Sequence, residues 1–255
     1  PKLTAAFGSL GLNRLYSHQR QALDAVQAGQ NVVISTGVAS GKSLCYQLPI
    51  LNELLISPQN RAILLFPTKA LGQDQAGKFK QMLDLLNPDL PKIAKLHCGI
   101  YDGDSPSDLR QKIRREAQIL FTNPDMLHTA ILPHHTQWAQ FFQNLRFVVL
   151  DELHTYRGVF GSHIANLLCR LKRIASFYGV TPTFLMTSAT IANPRELSES
   201  LIQSQVICID EDGSPHGVQH FITYNPPIIH PEFGIRRSAT AESIDLVNDL
   251  LQHNV

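Results

Sequence analysis

The sequence predicts an α/β fold built on a doubly wound, mostly parallel sheet. Two observations point to this class. Short apolar runs, each long enough for one strand, alternate with longer segments that have helical periodicity. The runs are continuously apolar rather than alternating, which is typical of parallel strands buried on both faces. In such sheets ligands collect beyond the carboxyl ends of the strands, and several polar loops of this chain begin there.

The strand predictions follow the apolar runs in chain order. The first run leads directly into a glycine-bearing loop, and a polar loop also follows several of the later ones. The runs are rich in Val, Ile, Leu and Phe, residues that favour strands. The predicted strands cover residues 32–35, 61–66, 93–98, 118–121, 147–150, 183–186 and 206–209.

Capping signals mark the helices between these strands. Ser17 is the predicted N-cap of one helix and Gly29 its stop. Thr122-Asn123 precedes Pro124, which gives a cap followed by Pro at the first helical position. Asp125 is predicted to cap its own helix rather than to meet an anion. The predicted helices cover residues 17–28, 44–51, 69–86, 162–178 and 194–203, together with a basic helix that ends at residue 116.

The composition changes after the last predicted strand. Residues 211–215 have turn chemistry and residues 225–227 are extended and non-helical. We therefore predict a domain over residues 1–212, and a linker with the truncated opening elements of a second domain over residues 213–255. In this tail, residues 219–224 are predicted to form a strand and residues 241–252 an amphipathic helix.

Bulk composition excludes several classes of protein. The 255 residues carry a formal net charge of +1, so nucleic-acid binding would depend on local charge placement. No apolar run is long enough to span a membrane, and no signal-peptide pattern opens the chain. The four cysteines are scattered through the chain, so a zinc site is not expected. Reduced thiols are expected instead, which favours a cytoplasmic location. The chain begins at Pro1 rather than Met, which suggests a fragment or a processed chain.

The loop from Ser35 to Ser43 has the layout of a phosphate-binding loop, because it joins a strand to a helix and ends in Gly-Lys-Ser. Its unpaired amides lie at the positive end of a helix dipole, which suits an anion. Lys42 would contact the β and γ phosphates of ATP, and the Ser43 hydroxyl would bind Mg²⁺. Thr36 stands where the strict pattern has Gly, so an ordinary Gly/Ser loop is the alternative. The predicted nucleotide-binding residues here are Thr36, Gly37, Ser40, Gly41, Lys42 and Ser43.

Asp151 and Glu152 end the fifth predicted strand and are the candidate catalytic carboxylates. Asp151 would hold Mg²⁺ through water, because Mg²⁺ keeps most of its waters and uses one or two carboxylates. Glu152 would orient and deprotonate the attacking water as a general base. A solvated acidic pair at a strand end is the alternative. The pairing with Lys42 and Ser43 favours the catalytic interpretation, because phosphoryl transfer needs all four groups at one edge.

Taken together, the ordered motifs resemble those of the superfamily 2 DExH-box helicases, in their first RecA-like motor domain. The resemblance covers about residues 10–210. Within that superfamily, residues 151–163 (DELHTYRGVFGSH), 101–104 and 186–196 (MTSATIANPRE) resemble the MrfA-like DNA-repair helicases, which are relatives of RecQ helicases. The motifs that carry the match are Gln19, residues 36–43, 67–71, 122–125 and 151–154, and Ser188-Ala189-Thr190.

The resemblance implies roles for residues outside the phosphate-binding loop. Gln19 would read the adenine base, with a solvated glutamine as the alternative. One further set of residues would bind the phosphates of a nucleic-acid strand. A second set would couple the state of the bound nucleotide to the binding of that strand. For each residue of the second set, a plain structural contact is the alternative. The strand-binding group is Thr68, Lys69, Thr122 and Asn123, and the coupling group is His154, Ser188 and Thr190.

Residues 156–161 resemble a DNA-sensing aromatic loop of related helicases. Tyr156 and Phe160 would offer two stacking faces and Arg157 a cation. Burial of Phe160 against the following helix is the alternative. The basic run of Arg110, Lys112, Arg114 and Arg115 is predicted to be a solvated face, with a phosphate-tracking patch as its alternative.

These predictions combine into one function, the ATP-binding half of an ATP-dependent DNA helicase or translocase. Its cofactors would be ATP and Mg²⁺, and its partner single-stranded DNA, with RNA as the alternative strand. By resemblance, a second RecA-like domain supplies arginine fingers, so a chain without it is expected to hydrolyse ATP poorly. A nucleotide-binding module without motor activity is the competing interpretation. No membrane partner is expected, and the sequence makes no prediction of oligomeric state.

Overall fold

The computed structural model describes residues 2–12, 14–215, 217 and 222–253. The chain separates into two compact units, of which the first ends at Ser214 and the second begins at Pro215. The first unit carries every residue predicted for the functional site. Among the described residues, no helix combines the length and the apolar character needed to cross a bilayer.

A seven-stranded sheet runs through the described part of the first unit, and all its strand pairs are parallel. The spatial order is β3-β4-β2-β5-β6-β1-β7, so β6 lies between β1 and β5. The predicted doubly wound α/β class is confirmed. The strands are β1 Val32–Ser35, β2 Arg61–Leu65, β3 Cys98–Ile100, β4 Ile119–Thr122, β5 Leu145–Leu150, β6 Thr183–Ser188 and β7 Ile207–Ile209.

Helices follow most of these strands and return the chain to the start of the next one. They are α1 Lys2–Ser9, α2 Ser17–Gln27, α3 Ser43–Ile56, α4 Lys69–Leu86, α5 Ser107–Glu116, α6 Pro124–Met126, α7 Ala139–Gln143, α8 Gly158–Phe177 and α9 Pro194–Ile202. A π-helical turn, Leu127–Ile131, continues α6, and a short 3-10 turn, Leu153–Thr155, follows β5.

The core lies on both faces of the sheet, because side chains alternate along each strand. In β1, Val33 joins the cluster that packs under α8 and α9, whereas Val32 and Ile34 join the cluster under α3 and α4. All three are fully buried. Burying an aliphatic side chain of this size contributes about 1.5–3 kcal/mol, so the two clusters fix the strand ends that carry the site.

The third predicted strand is wrong in its position. Residues 93–98 were expected to be extended, but Lys92–Ala94 forms a 3-10 turn and β3 begins only at Cys98. The reason lies in Asn87, whose side chain donates to the Leu96 carbonyl at 2.9 Å and accepts from the Leu96 amide at 2.8 Å. These contacts satisfy the backbone of Leu96 without a neighbouring strand.

The second unit contains a small hairpin and a helix. Strands β8 Ile228–His230 and β9 Ile235–Arg236 pair antiparallel, and α10 Ala239–Gln252 follows them. The predicted helix over residues 241–252 falls inside α10. Of the predicted strand over residues 219–224, residues 219–221 lie outside the described residues, and residues 222–224 form no strand.

Candidate nucleotide and nucleic-acid site

The predicted site residues gather at the carboxyl edge of the sheet. Because β6 lies between β1 and β5, the loops that follow these three strands are neighbours. The phosphate-binding loop follows β1, the acidic pair follows β5, and Ala189 follows β6. The Ser35 hydroxyl donates to the Ala189 carbonyl at 3.2 Å, which joins the ends of β1 and β6.

Lys42 folds back onto its own loop. Its Nζ atom donates to the Thr36 carbonyl at 2.9 Å and also to the Gly37 carbonyl. The hydroxyls of Thr36 and Ser40 lie 2.7 Å apart and share a hydrogen bond. Ser43 begins α3, so its hydroxyl stands at the N-terminus of that helix. The loop therefore gathers a lysine, two buried hydroxyls and a helix start in one place.

Gln19 is only 2 % exposed, so the alternative of a solvated glutamine is wrong. Its Nε2 donates to the Gly41 carbonyl at 3.1 Å, and its Oε1 accepts from the Tyr16 amide at 3.0 Å. That second bond caps α2, so the predicted N-cap role of Ser17 is wrong, and Ser17 is instead the first residue of the helix. Gly41 has φ +79°, and a Cβ there would lie 2.6 Å from Gln19 Nε2, so this position needs glycine.

The charge on Lys42 is shaped by its half-buried position. Burial lowers the pKa of Lys42 below its usual range, and the negative charges of Glu152, Asp151 and Asp212 partly offset that shift. The loop thus presents a positive charge beside three carboxylates.

Both carboxylate oxygens of Asp151 have partners within the protein. Oδ1 accepts from the Thr187 hydroxyl and, at 2.9 Å, from the Glu152 amide. Oδ2 lies 3.3 Å from the hydroxyl of Tyr46, which also reaches Gln75 Oε1 at 3.1 Å. Burial, with the nearby Asp151 charge, raises the pKa of Tyr46 well above its usual value, so the hydroxyl keeps its proton and can donate.

Tyr46 and Thr187 are contacts that the sequence predictions missed. Tyr46 is fully buried, one turn into the helix that follows the phosphate-binding loop, and Thr187 is the residue before the predicted Ser188. The available signal was their position, because Thr187 lies within the motif at residues 186–196 and Tyr46 lies in the helix predicted directly after the phosphate-binding loop. What the motifs did not give is the direction of each side chain toward Asp151.

Glu152 adopts a left-handed backbone conformation, with φ 54° and ψ 48°. This region is uncommon for residues with a Cβ and is often found where a side chain must be aimed at a site. Its Oε2 lies 3.4 Å from His154 Nδ1, and the same Nδ1 lies 3.4 Å from the Ala189 amide. His154 therefore links the ends of β5 and β6, and its Nδ1 accepts from the Ala189 amide.

The other two predicted coupling residues behave differently from His154. Ser188 is 1 % exposed, and among the described residues its hydroxyl has no hydrogen-bond partner. Thr190 is exposed. The bridge between the strand ends is therefore made by the Ala189 backbone and the Thr187 hydroxyl, not by the predicted hydroxyls of Ser188 and Thr190.

The predicted strand-binding residues lie where β2 and β4 end and the following helices begin. Thr68 caps α4 by accepting from the Leu71 amide at 3.4 Å, and exposed Lys69 forms an ion pair of 2.6 Å with Asp104. Asn123 caps α6 by accepting from the Met126 amide at 2.9 Å. Thr122 is buried, and its hydroxyl donates to the Tyr101 carbonyl at 2.7 Å, so the fold already uses that group.

Two smaller predictions in this region are corrected. Asp125 does not cap its helix, because Asn123 occupies the N-cap position and Asp125 lies in the first turn. The basic run of α5 is not simply solvated, because two of its arginines bind the fold. Arg110 donates to the Asp102 carbonyl at 2.9 Å, and Arg114 donates to Gln137.

The aromatic loop offers one stacking face rather than two. Tyr156 is fully buried, whereas Phe160 is 43 % exposed, so the alternative of a buried Phe160 is wrong. The two rings lie 5.8 Å apart between centroids. Arg157 is exposed at the N-terminus of α8 and lines a cavity of about 380 Å³ with Asn193.

Comparison with known proteins identifies the class that this fold and edge define. Residues 16–197 match the family described as DEAD/DEAH box helicase, so the chain belongs to the DEAD/DEAH box helicases. It is 49 % identical over 254 residues to the uncharacterized ATP-dependent helicase YprA of Bacillus subtilis, with all of this chain and 33 % of that protein covered. It is 41 % identical over 243 residues to the ATP-dependent helicase HRQ1 of Saccharomyces cerevisiae, covering 94 % of this chain and 22 % of that protein.

Solved structures agree with this assignment. Crystal structures of the helicase MrfA bound to DNA, and bound to DNA and AMPPNP, superpose on the whole chain with a TM-score of 0.90 at 49 % identity. The chain covers 33 % and 34 % of those two molecules. It spans about a third or less of the length of the curated relatives named above. The predicted resemblance to MrfA-like helicases of superfamily 2 is confirmed.

Proposed function

We propose that this chain is the ATP-binding half of an ATP-dependent DNA helicase or translocase, and that it binds Mg·ATP and single-stranded DNA. The observation that carries the proposal is the edge formed by β5, β6 and β1. Their loops bring a phosphate-binding lysine, a helix start and two carboxylates to one place. This is the set of groups that phosphoryl transfer requires.

The phosphates of ATP would replace the contacts that Lys42 now makes with its own loop. Its ammonium group donates to the Thr36 and Gly37 carbonyls, and phosphate oxygens offer stronger acceptors because they are charged. The loop amides and the start of α3 would complete the anion site. Gln19 lies against Gly41 and is the proposed contact for the adenine base.

Ser43 and Asp151 fit the requirements of Mg²⁺, which prefers oxygen ligands and keeps several waters. Asp151 is held by Thr187, Tyr46 and the Glu152 amide, so its carboxylate has little freedom to turn away. When bound, the ion would neutralise charge on the phosphates.

Glu152 is the proposed general base for the attacking water. Its backbone is left-handed, and His154 stands within 3.4 Å of its carboxylate. His154 also contacts the loop after β6, so a movement at either strand end would alter the position of Glu152. That contact gives His154 its proposed role in coupling the nucleotide to the nucleic acid.

Single-stranded DNA is proposed as the partner in preference to RNA. MrfA was crystallised with DNA, and this chain shares 49 % of its residues with that helicase. Exposed Lys69, Arg157 and Phe160 and the helix starts at Thr68 and Asn123 could bind a backbone and one base without reading sequence. None of these groups discriminates against a 2′-OH by its chemistry, so RNA is the alternative that binding measurements would reveal.

We further propose that arginine fingers come from a second RecA-like domain, so that the 255-residue chain binds Mg·ATP and turns it over slowly. Residues 213–255 are proposed to be the linker and first elements of that domain. A nucleotide-binding module without motor activity would bind ATP equally well but show no response to DNA. Location in the cytoplasm stays a prediction.

The test is a titration of the chain with fluorescent mant-ATP and with fluorescein-labelled single-stranded DNA. Lys42→Ala should weaken ATP binding roughly ten- to hundredfold, the loss expected for a charged hydrogen-bond donor. Lys69→Ala is the matched control, because it should weaken DNA binding and leave ATP binding unchanged. Saturable ATP binding that survives Lys42→Ala would refute the proposal, and tighter binding of RNA than of DNA would favour the alternative strand.

A further inference from the structure

Asp212 places a carboxylate directly on the phosphate-binding loop. It lies three residues beyond β7, and its Oδ2 accepts from the Gly37 amide at 3.0 Å. Its Oδ1 accepts from the Ser214 amide at 2.9 Å and from the Ser214 hydroxyl at 2.6 Å. Residues 212–214, which we term the exit segment, are thereby turned and attached to the loop by one side chain.

His18 gives the exit segment a second attachment to the same loop. It is fully buried, with Nε2 3.1 Å from the Ser40 carbonyl and Nδ1 3.2 Å from the Gly213 amide. One neutral tautomer satisfies both contacts, because Nε2–H donates to the carbonyl while bare Nδ1 accepts from the amide. Burial lowers the pKa of His18, more than the nearby Asp212 charge raises it, which favours this neutral form.

The fit between the exit segment and the start of α2 is tight. A Cβ built on Gly213 would lie 1.9 Å from the Ser17 hydroxyl and 2.9 Å from the Ser17 amide nitrogen. No larger residue could take this place without moving the exit segment away from the loop. The attached arrangement is therefore built into the sequence at Asp212, Gly213 and His18.

The charge of Asp212 opposes the ligand that the loop is proposed to bind. A triphosphate is an anion, and the Asp212 carboxylate already occupies one amide of the loop and lies close enough to act on Lys42. Two negative charges near one electropositive loop repel each other. An attached exit segment and a bound triphosphate should each weaken the other.

We propose that Asp212 is an internal anion that competes with the phosphates of the nucleotide, so that ATP binding loosens the exit segment from the phosphate-binding loop. The exit segment leads on in sequence to the second unit. Nucleotide binding would therefore weaken the attachment of the exit segment to the loop, and the chain that follows the exit segment would become more mobile. This inference rests on the proposed binding of ATP at the loop. Because coupling between two binding events is reciprocal, it can be measured from either side.

The first measurement compares mant-ATP affinity in the wild type, Asp212→Asn and Glu211→Gln. Asn keeps one oxygen that can accept from the Gly37 amide, but its amide nitrogen cannot accept from Ser214, so this substitution removes the charge and one attachment of the exit segment. We expect Asp212→Asn to bind about three- to tenfold more tightly, the size of a modest allosteric coupling. Glu211 is exposed and loses the same charge one residue away, and its variant should change affinity less than about twofold, because exposed charges are screened.

The second measurement is hydrogen exchange at the Gly213 and Ser214 amides, both of which are hydrogen-bonded in the attached arrangement. Saturating Mg·AMPPNP should speed their exchange about three- to tenfold, the same factor that we expect for the change in mant-ATP affinity of Asp212→Asn. Slower or unchanged exchange would overturn the inference, as would unchanged or weaker ATP binding by Asp212→Asn. If the wild type showed no saturable ATP binding, the proposed function would fail and this inference with it. Binding that Lys42→Ala removes but Asp212→Asn does not tighten would overturn the inference alone.

Discussion

The loops after β1, β5 and β6 differ from those after β2 and β4 in how their polar groups are satisfied. On the nucleotide side, both oxygens of Asp151 and the ammonium group of Lys42 have partners inside the protein. On the proposed strand-binding side, Lys69 pairs with Asp104 while both side chains remain 45 % and 74 % exposed. One side is a partly buried network, whereas the other combines the buried contact of Thr122 with separate, solvated contacts.

This difference predicts how each side responds to substitution. Groups in a buried network hold one another in place, so losing one leaves others unsatisfied and can misplace the reacting atoms. An exposed ion pair contributes only about 0–1 kcal/mol and weakens with salt. We therefore expect the largest effects at the edge formed by β1, β5 and β6, and smaller, salt-dependent effects on the loops after β2 and β4.

Glu152→Gln should have the largest effect. Removing a general base costs about 100- to 10,000-fold in rate, and Gln cannot accept the proton. ATP affinity should change less than about threefold, since Glu152 is not a proposed contact of the phosphates. Because turnover by this chain should be slow, single-turnover hydrolysis with protein in excess over radiolabelled ATP is the measurement.

Glu211→Gln is the control for Glu152→Gln, because it removes the same charge from an exposed position. Its rate should match that of the wild type. Equal rates for Glu152→Gln and the wild type would show that another group activates the water.

Tyr46→Phe should have the next largest effect. The change removes one buried hydroxyl that reaches both Asp151 and Gln75. We expect a loss of about 1–2 kcal/mol in the free energy of unfolding, the cost of leaving a buried acceptor without its donor. The Mg²⁺ concentration for half-maximal mant-ATP binding should also rise, because Asp151 would be less well oriented. Urea denaturation and a Mg²⁺ titration measure the two effects.

Tyr224→Phe is the matched control for Tyr46→Phe. The Tyr224 hydroxyl donates to Glu242 at 2.7 Å, but on an exposed surface, so its loss should cost less than about 0.5 kcal/mol. Equal losses in the two variants would contradict the distinction between buried and exposed contacts.

The sequence predicted the motifs and their position at one edge of the sheet, but it did not predict the side-chain contacts between the motifs. Local periodicity and capping residues predicted most strands within a few residues and located Lys42, Asp151 and Glu152. The partners of those groups come from far along the chain: Tyr46 meets Asp151 across 105 positions, and Gly37 meets Asp212 across 175. No local pattern encodes such pairs, because they depend on strand order and on helix packing.

The sequence also did not predict which of two nearby residues of the same type is buried. Tyr156 and Phe160 are both aromatic and lie only four positions apart, yet only Tyr156 is buried. The misplaced third strand has the same kind of cause, since the side chain of Asn87 satisfies a backbone that would otherwise need a neighbouring strand. At β3, a single side-chain contact decides where the strand begins.

Phe160→Ala should have a smaller effect, confined to nucleic-acid binding. Stacking of one base on an aromatic ring is worth about 1–3 kcal/mol, so we expect single-stranded DNA to bind roughly fivefold more weakly or worse. Phe177→Ala is the control, because Phe177 is 75 % exposed at the other end of the same helix. Fluorescence anisotropy with labelled DNA measures both, and ATP affinity should be unchanged. Equal weakening by both variants would remove the aromatic loop from the proposed interface.

Ala39→Gly should have the smallest effect, and it should be stabilising. Ala39 is exposed in the phosphate-binding loop with φ 61°, a conformation that costs a residue with a Cβ about 1–2 kcal/mol. Glycine removes that cost but adds freedom to the unfolded chain worth about 0.4–1 kcal/mol. The net gain in the free energy of unfolding should be about 0.5 kcal/mol, measured by urea denaturation.

Ala5→Gly separates backbone strain from the general effect of glycine. Ala5 is equally exposed but lies inside α1, where glycine should destabilise by about 0.5–1 kcal/mol. If Ala39→Gly raised the free energy of unfolding and Ala5→Gly lowered it, the loop would hold Ala39 in a strained conformation before any nucleotide binds. A destabilising Ala39→Gly would mean that the loop relaxes out of that conformation in solution, and the contacts of Lys42 with its own loop would then have to form in a backbone of different shape.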